Sequence, residues 1–258
     1  MSTKLLNRPD VLGVLFHPRE DFGLLRPDAH MVEIELDDEV DVGGRLYPAA
    51  PDAPVILYYH GNGEIAADYD DLSEFYVHLG ITLLVMDYRG YGASGGHPTA
   101  ENLVGDAMVV FNALDRVLSA HGLNPAQVYV MGRSLGSVPA IETALHAGDR
   151  LAGLIIESGF FDTFGLLARL GVRVARADEQ QEGFGNAFKM EHITTRTLIL
   201  HGADDFLIPP SDGQELHRRC AAADKHLVLI PGAGHNDIMI TGMSDYFAAI
   251  RDFVLAKN

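Results

Sequence analysis

The chain has 258 residues, of which 47% are apolar and 21% charged, the balance of an ordinary folded globular protein rather than a disordered one. This length suits one large domain with a well-buried core, so we expect a single domain over residues 1–258. The formal net charge of −17 argues against nucleic acid or an anionic membrane as a partner, because both are bound through clustered Lys and Arg.

The first 30 residues contain scattered leucines and phenylalanines but no uninterrupted apolar region of the signal-peptide kind. No stretch of the sequence approaches the 18 apolar residues that a membrane span requires. We therefore expect a cytoplasmic protein without a membrane span. The apolar N-terminal residues either pack on the domain itself, which we favour, or contact another subunit, and the oligomeric state stays open.

Next along the chain, residues 31–36 and 43–49 alternate in polarity around an acidic turn, which predicts an antiparallel hairpin at a sheet edge. Continuous apolar runs follow, and their length and composition predict strands that are buried on both faces. These runs occupy residues 54–61, 81–87, 127–132, 151–158, 196–202 and 226–232. Helical spacing between them is clearest over 99–121, where Thr99 is a candidate N-cap. The pattern predicts a doubly wound, mostly parallel α/β sheet with ligands at the carboxyl ends of its strands.

Residues 160–192 interrupt this alternation, because the segment is longer than a crossover helix needs and has a polar, glycine-bearing middle. We interpret it as a small cap over the strand ends. Phe160 and Phe161 begin an apolar stretch, and Arg169, Arg173 and Arg176 follow at helical spacing. Phe160, Phe161 and Arg169 are therefore candidate substrate contacts, although for the arginines we favour a solvated basic face on a cap helix.

Two Gly-x-Ser-x-Gly motifs are present, one around Ser94 and one around Ser134. A nucleophile elbow needs a strand directly before the serine and a helix directly after it. Ser134 has both, whereas Ser94 lies in a glycine-rich loop without a nearby helix start. We therefore predict that Ser134 is the nucleophile; the alternative for Ser134 is an N-cap serine after a strand.

A nucleophilic serine needs a histidine to take its proton and a carboxylate to orient that histidine. His235 lies in the loop after the last predicted strand, and Asp204 and Asp205 follow the strand before it. Spacing alone leaves both carboxylates open, and we favour Asp205. His60 and His201, which each end a strand before a glycine, are candidates to line the site.

The oxyanion of an acyl-transfer intermediate needs preorganised N–H donors. One candidate is the main-chain N–H of Leu135, directly after the predicted nucleophile. The other is Asn62, in a loop where neighbouring glycines allow a close backbone approach. An ordinary strand-to-helix turn is the alternative for that loop.

Six motifs, HGNGE, MDYRGYGASGGHPT, GRSLGS, IIESGF, HGADDFLIP and PGAGHND, occur in an order and spacing that resemble serine hydrolases of the α/β-hydrolase superfamily. The resemblance covers roughly residues 50–256 and is to the small abhydrolase-domain and monoacylglycerol-lipase-like group. It implies the α/β-hydrolase fold with Ser134 as nucleophile, Asp205 as acid and His235 as base. It implies Asn62 and Leu135 as oxyanion donors, and Asp87, Arg89 and Glu157 as parts of the scaffold.

We therefore expect a serine hydrolase that cleaves a small-molecule ester or thioester through an acyl-enzyme on Ser134. A peptidase or amidase on the same triad, and a non-catalytic binding protein with this fold, are the alternatives. Cys220 is the only cysteine, which excludes an intramolecular disulfide and a cysteine-based zinc site. We expect no metal and no organic cofactor, because no His or carboxylate pair at helical spacing has a supporting third ligand and no glycine-rich loop matches a phosphate or dinucleotide motif.

Overall fold

Eight strands form one sheet in the computed structural model, which describes residues 4–36, 39–175 and 177–256. The strands are β1 (His30–Glu35), β2 (Asp41–Tyr47), β3 (Val55–Tyr59), β4 (Thr82–Met86), β5 (Val128–Arg133), β6 (Gly153–Glu157), β7 (Thr197–Gly202) and β8 (Lys225–Ile230). The helices are α1 (Pro9–Leu15), α2 (Asp70–His78), α3 (Ala100–Ala120), α4 (Ser137–Ala147), α5 (Thr163–Arg169), α6 (Glu179–Glu182), α7 (Asn186–Met190), α8 (Pro210–Arg219), α9 (Ile238–Thr241) and α10 (Met243–Leu255).

The strand order is β1-β2-β4-β3-β5-β6-β7-β8. The pairs β1–β2 and β2–β4 are antiparallel, and every later neighbouring pair is parallel. The predicted α/β-hydrolase fold, with a mostly parallel sheet and an antiparallel N-terminal edge, is therefore confirmed. One strand differs from its prediction: β8 is only partly buried, with Leu229 36% exposed. Among the described strands it is the last of the sheet, and its one neighbour there is β7.

Helices cover both faces of the sheet because successive strand residues point to opposite sides. On β3, Val55, Leu57 and Tyr59 join a core cluster that includes α3 and α4, whereas Ile56 and Tyr58 join a second one with α10. The central strands β3, β4, β6 and β7 are fully buried. Their continuous apolar runs follow directly from this double coverage.

Helix α3 has the predicted N-cap, since the Thr99 hydroxyl accepts a hydrogen bond from the Asn102 main-chain N–H. Its predicted apolar stripe is buried against the sheet. The N-terminal segment packs on the same core: Leu6, Val11 and Leu15 are at most 2% exposed. Helix α1 thereby lies on the domain instead of presenting its apolar side to solvent.

Three short helices, α5, α6 and α7, occupy the interval between β6 and β7. The predicted helical spacing of the arginines does not persist, because α5 ends at Arg169 and Gly171 follows with a φ of +91°. Arg173 therefore lies beyond the helix, and Arg176 lies outside the described residues. The interval is joined internally by Glu179, whose carboxylate accepts hydrogen bonds from the Thr163 hydroxyl and from the main-chain N–H groups of Thr163 and Gly185.

Candidate active site

Ser134 lies on a tight turn between β5 and α4, with a φ of +52°. This left-handed conformation is costly for a residue other than glycine, and such strain is concentrated at functional sites. Gly132 and Gly136 flank it at positions without room for a side chain. A Cβ at Gly132 would collide with the Gly136 carbonyl, and a Cβ at Gly136 would collide with the Tyr59 carbonyl of β3. Both glycines are thus required by the close approach of backbones around the turn.

Three side chains form a hydrogen-bonded chain at the carboxyl end of the sheet. The Ser134 hydroxyl lies 3.0 Å from Nε2 of His235, and Nδ1 of His235 lies 2.7 Å from Oδ2 of Asp205. The three residues follow β5, β8 and β7 respectively, so parallel strands bring them to one edge. Because a carboxylate can only accept, Nδ1 carries the proton and Nε2 is free to accept from the serine.

Asp205 is the carboxylate that reaches the imidazole. Its second oxygen accepts hydrogen bonds from the main-chain N–H groups of Leu207 and Ile208, at 3.0 and 2.8 Å. Burial raises the pKa of this carboxyl, but the bonds from His235 and the backbone outweigh burial and hold the pKa below its usual value. Asp204 instead donates its main-chain N–H to the Ala233 carbonyl and so ties the two loops together.

His201 is buried next to Asp205 and stabilises the loop that carries Asp205. Its Nε2–H donates to the Ile208 carbonyl at 2.8 Å, and burial lowers its pKa, so the ring is neutral near pH 7. His60 is also fully buried, and its ring packs against Tyr88. Among the described residues that line the cleft beside Ser134, neither histidine occurs.

Asn62 and Leu135, the predicted oxyanion donors, line the same cleft as Ser134. The Asn62 side chain is already engaged, since its Oδ1 accepts bonds from the Tyr91 hydroxyl and from the His17 main-chain N–H. The loop before it is held as well, because the Gly61 N–H donates to Glu64 at 2.6 Å. These bonds hold the Asn62 side chain and the backbone of the preceding residue.

Arg133, directly before Ser134, connects the loops that carry Asn62 and His235 with the end of β6. It was not singled out from the sequence. Its guanidinium pairs with Glu64, two residues after Asn62, and with Glu157 at the end of β6. It also donates to the His235 carbonyl at 2.8 Å and to Asn236 at 3.0 Å. The available signal was a charged residue at the end of a buried strand, which calls for a partner.

Glu157, which is completely buried, is one of the two carboxylates that pair with this arginine. Burial raises its pKa, and Arg133 together with the hydroxyls of Tyr58 and Tyr246 counteracts that rise. The scaffold roles that the resemblance implied for Asp87 and Arg89 agree with their contacts. Asp87 accepts a hydrogen bond from the Ala66 main-chain N–H, just after the loop that carries Asn62. The Arg89 guanidinium donates to both carboxylate oxygens of Asp106 on α3.

Ser134 lines a cleft with a volume of about 60 Å³. Apart from Ser134 and Asn62, its lining is aliphatic: Val14, Leu15, Leu135, Leu166, Leu170, Leu207 and Ile208. These side chains come from α1, the turn at Ser134, the α5 region and the loop that carries Asp205. Sequence reasoning did not identify the contribution of α1, because nothing in its local pattern distinguishes a core helix from one that borders a site.

The three predicted substrate contacts, Phe160, Phe161 and Arg169, are not among the described residues that line this cleft. Phe160 is fully buried and packs against Phe184, and Phe161 is half-buried against the core. Arg169 is paired at 2.9 Å with the buried carboxylate of Asp212 on α8. The α5 region reaches the cleft instead through the leucines named above.

Ser94 has a different environment from Ser134, since its hydroxyl accepts a hydrogen bond from the Gly43 N–H and so links its loop to β2. Across the described residues, no helix is both long and apolar enough to cross a membrane.

Comparison with known proteins supports this architecture. Residues 50–178 and 186–239 match the family described as "Serine aminopeptidase, S33". The chain is 34% identical over 207 residues to human alpha/beta hydrolase domain-containing protein 17B, a match that covers 77% of this chain and 65% of the human protein. It thus spans slightly less than two thirds of that relative's length.

Two solved structures share the fold at low sequence identity. An esterase from Pyrococcus furiosus aligns with a TM-score of 0.74 at 19% identity, over 92% of this chain and 98% of the esterase. A monoacylglycerol lipase from Paleococcus ferrophilus aligns with a TM-score of 0.64 at 19% identity, over 83% of this chain and 98% of the lipase. With its matched family, its sheet and its relatives in agreement, the chain belongs to the Serine aminopeptidase, S33 family of α/β hydrolases.

Proposed function

We propose that the protein is a serine hydrolase that cleaves a carboxylic ester or thioester through an acyl-enzyme on Ser134. The observation that carries the proposal is the continuous hydrogen-bonded chain from the Ser134 hydroxyl through His235 to Asp205. A serine alcohol is a weak nucleophile by itself, and this arrangement supplies both the base and the group that orients it.

In the first half-reaction, Ser134 Oγ attacks the carbonyl carbon of the substrate while its proton moves to His235 Nε2. The carbonyl oxygen becomes an oxyanion, which the main-chain N–H groups of Leu135 and Asn62 stabilise. When the tetrahedral intermediate collapses, the imidazolium gives its proton to the leaving alkoxide or thiolate. Asp205 stabilises the transient positive charge on the imidazole without taking the proton itself.

In the second half-reaction, His235 takes a proton from water, and the resulting hydroxide attacks the acyl carbon on Ser134. The second tetrahedral intermediate uses the same two N–H groups. Collapse returns the proton to Ser134 Oγ and releases the carboxylic acid. The cycle therefore consumes one water and regenerates the free enzyme.

The aliphatic lining of the cleft supports an acyl substrate over an N-terminal peptide. An aminopeptidase must bind an α-ammonium group, for which a carboxylate near the cleft is the natural partner. Among the described lining residues none is charged. We further propose that residues 160–192 act as a small cap of a single domain, since Leu166 and Leu170 close one side of the cleft.

The proposal is tested by treating the purified protein with a fluorophosphonate, which bonds covalently to an activated serine, and locating the adduct by mass spectrometry. We expect labelling at Ser134 in the wild type and none in the Ser134→Ala variant. Ser94→Ala is the matched control, because it removes the serine of the second Gly-x-Ser-x-Gly motif and should label normally. Labelling that survives Ser134→Ala would overturn the assignment.

Turnover of p-nitrophenyl esters and matched anilides then separates the two reaction classes. We expect ester hydrolysis to fall by at least about 10³-fold in Ser134→Ala while folding is retained. Faster cleavage of the anilide than of the ester by the wild type would favour the amidase alternative.

A further inference from the structure

The N-terminal segment contacts the candidate active site at two places, although it lies outside the residues that match the family. Residues 14–19, here called the arm, run from the end of α1 past the loop that carries Asn62. Upstream of the arm, Leu6 and Val11 are buried in the core, so the arm starts from a fixed position on the domain.

The first contact is a set of hydrogen bonds between the arm and the Asn62 loop. The His17 main-chain N–H donates to Asn62 Oδ1 at 2.8 Å, and Asn62 Nδ2 donates back to the His17 imidazole Nδ1, also at 2.8 Å. Two residues further along the arm, Arg19 Nε donates to the Gly63 carbonyl at 2.8 Å, and the same guanidinium pairs with Asp68. The arm therefore holds the Asn62 side chain and the carbonyl of the next residue, Gly63.

The second contact is with the cleft itself. Val14 and Leu15 form one wall beside Ser134, and Leu166 and Leu170 from the α5 region also line the cleft. Leu15 is only 2% exposed and belongs to the core, whereas Val14 is half-buried. Val14 is thus the wall residue of the arm whose side chain a substrate can reach without displacing the core.

We propose that the arm is a working part of the active site, with Val14 as a specificity-determining residue for the acyl chain and His17 and Arg19 as positioning residues for the oxyanion loop. The inference rests on the proposed ester hydrolysis at Ser134 and adds to it the element that sets chain length. An acyl chain attached to Ser134 would extend along the aliphatic lining and contact Val14. The oxyanion N–H of Asn62 would keep its direction because the arm holds the Asn62 side chain and the Gly63 carbonyl.

Specificity is tested with Val14→Phe, which fills part of the cleft, and p-nitrophenyl acetate and octanoate as substrates. We expect kcat/KM for octanoate to fall at least 10-fold and that for acetate to change less than 3-fold. Gly13→Leu is the matched control, because it adds an apolar side chain to the same helix at a position where a Cβ meets no atom within 4 Å. Equal losses for both esters, or a control that behaves like Val14→Phe, would overturn the specificity role.

Positioning is tested with Arg19→Met against Arg8→Met. The side chains of Arg8 and Arg19 are 41% and 46% exposed, and each is paired with an aspartate, but the partner of Arg8 is its near neighbour Asp10. We expect Arg19→Met to lower kcat for acetate about 5-fold with KM within 2-fold, since one loop-holding hydrogen bond is lost. Arg8→Met should leave both constants unchanged. An unchanged kcat in Arg19→Met, or a change in KM alone, would refute the positioning role of Arg19.

His17 is tested by comparing His17→Ala with His17→Asn, since asparagine keeps a hydrogen-bond acceptor near the place of Nδ1. We expect the alanine variant to lose kcat to a similar extent and the asparagine variant to recover it. The rate of fluorophosphonate labelling should follow kcat in each variant, which a purely structural role would not require.

The two proposals fail in different ways. Full ester turnover in Ser134→Ala would remove the proposed function and with it the role of the arm. Turnover that depends on Ser134 but is indifferent to Val14, His17 and Arg19 would remove only the arm proposal. Circular dichroism of each variant confirms that the comparison is between folded proteins.

Discussion

Replacement of Arg133 by methionine should destabilise the protein strongly, because it leaves a buried carboxylate without its counter-charge. The guanidinium is 7% exposed and the Glu157 carboxylate 0% exposed, with 3.1 Å between Nε and Oε1. Removing one partner of a buried ion pair costs about 3–5 kcal/mol. The bonds to the His235 carbonyl and to Asn236 are lost as well, so ester turnover should fall together with stability.

The loss should depend on pH in a direction that the structure specifies. Burial already raises the pKa of Glu157, and without Arg133 that pKa rises further. A carboxyl whose folded pKa lies above its unfolded value of about 4.3 destabilises the fold as pH rises through that interval. The destabilisation of Arg133→Met relative to wild type should therefore be smallest near pH 4 and grow toward pH 8.

Urea unfolding followed by circular dichroism, repeated from pH 4 to pH 8, measures both effects. The double variant Arg133→Met/Glu157→Gln should recover much of the loss and remove its pH dependence. Arg251→Met is the matched control, since Arg251 pairs with Asp252 on the surface and should change the free energy of unfolding by less than about 0.5 kcal/mol. A loss in Arg133→Met below about 1 kcal/mol, or one that is independent of pH, would refute the reasoning.

Three further predictions concern the triad, the turn and the interval between β6 and β7. Asp205→Asn should lower kcat for ester hydrolysis by about 10⁴-fold and Asp204→Asn by less than 10-fold; steady-state kinetics that reverse this order would reassign the acid. Gly136→Ala should prevent soluble expression or sharply lower the urea concentration at the unfolding midpoint, because the added Cβ collides with a β3 carbonyl. Gly13→Ala, which has open space around the Cβ, should instead stabilise the protein by about 0.5–1 kcal/mol in the same urea titration. Burial raises the pKa of Glu179 to about 7, so this carboxyl should make wild-type thermal stability decline between about pH 4.5 and 7, and Glu179→Gln should flatten that decline; parallel curves would contradict the effect.

The sequence was most informative where a residue type has a single structural explanation. Continuous apolar runs predicted the buried strands, and the strand–glycine–serine–glycine–helix order predicted the turn at Ser134. Gly132 and Gly136 illustrate the reason: backbone contact at both positions excludes every side chain, so the residue type is informative by itself. The choice between Asp204 and Asp205 was of another kind, because it depends on which side chain turns toward the imidazole, and only coordinates show that.

Residues that act through distant partners were harder to identify. Arg133 meets Glu64, Glu157 and the His235 loop, which are 69, 24 and 102 positions away in the sequence. Val14 reaches the cleft only because α1 folds back over the sheet. In both cases the local pattern is that of an ordinary strand end or core helix, and the partner is set by topology.

Phe160 is a residue whose type has two structural explanations, so the sequence pattern led to a wrong expectation. Its place after a strand end and its aromatic character made it a candidate for substrate contact, yet the same character favours burial, and it packs against Phe184 in the core.

The close contact of Gly136 with the Tyr59 carbonyl has a consequence for how such an enzyme can change its substrate. The turn that carries Ser134 and the strand that leads into the loop of Asn62 touch through backbone atoms, so no side chain can be added at this contact, here called the floor of the site. The walls are side chains from separate elements, each replaceable without moving that floor. Laboratory evolution toward a new acyl group should therefore accumulate substitutions in the walls and leave the floor unchanged.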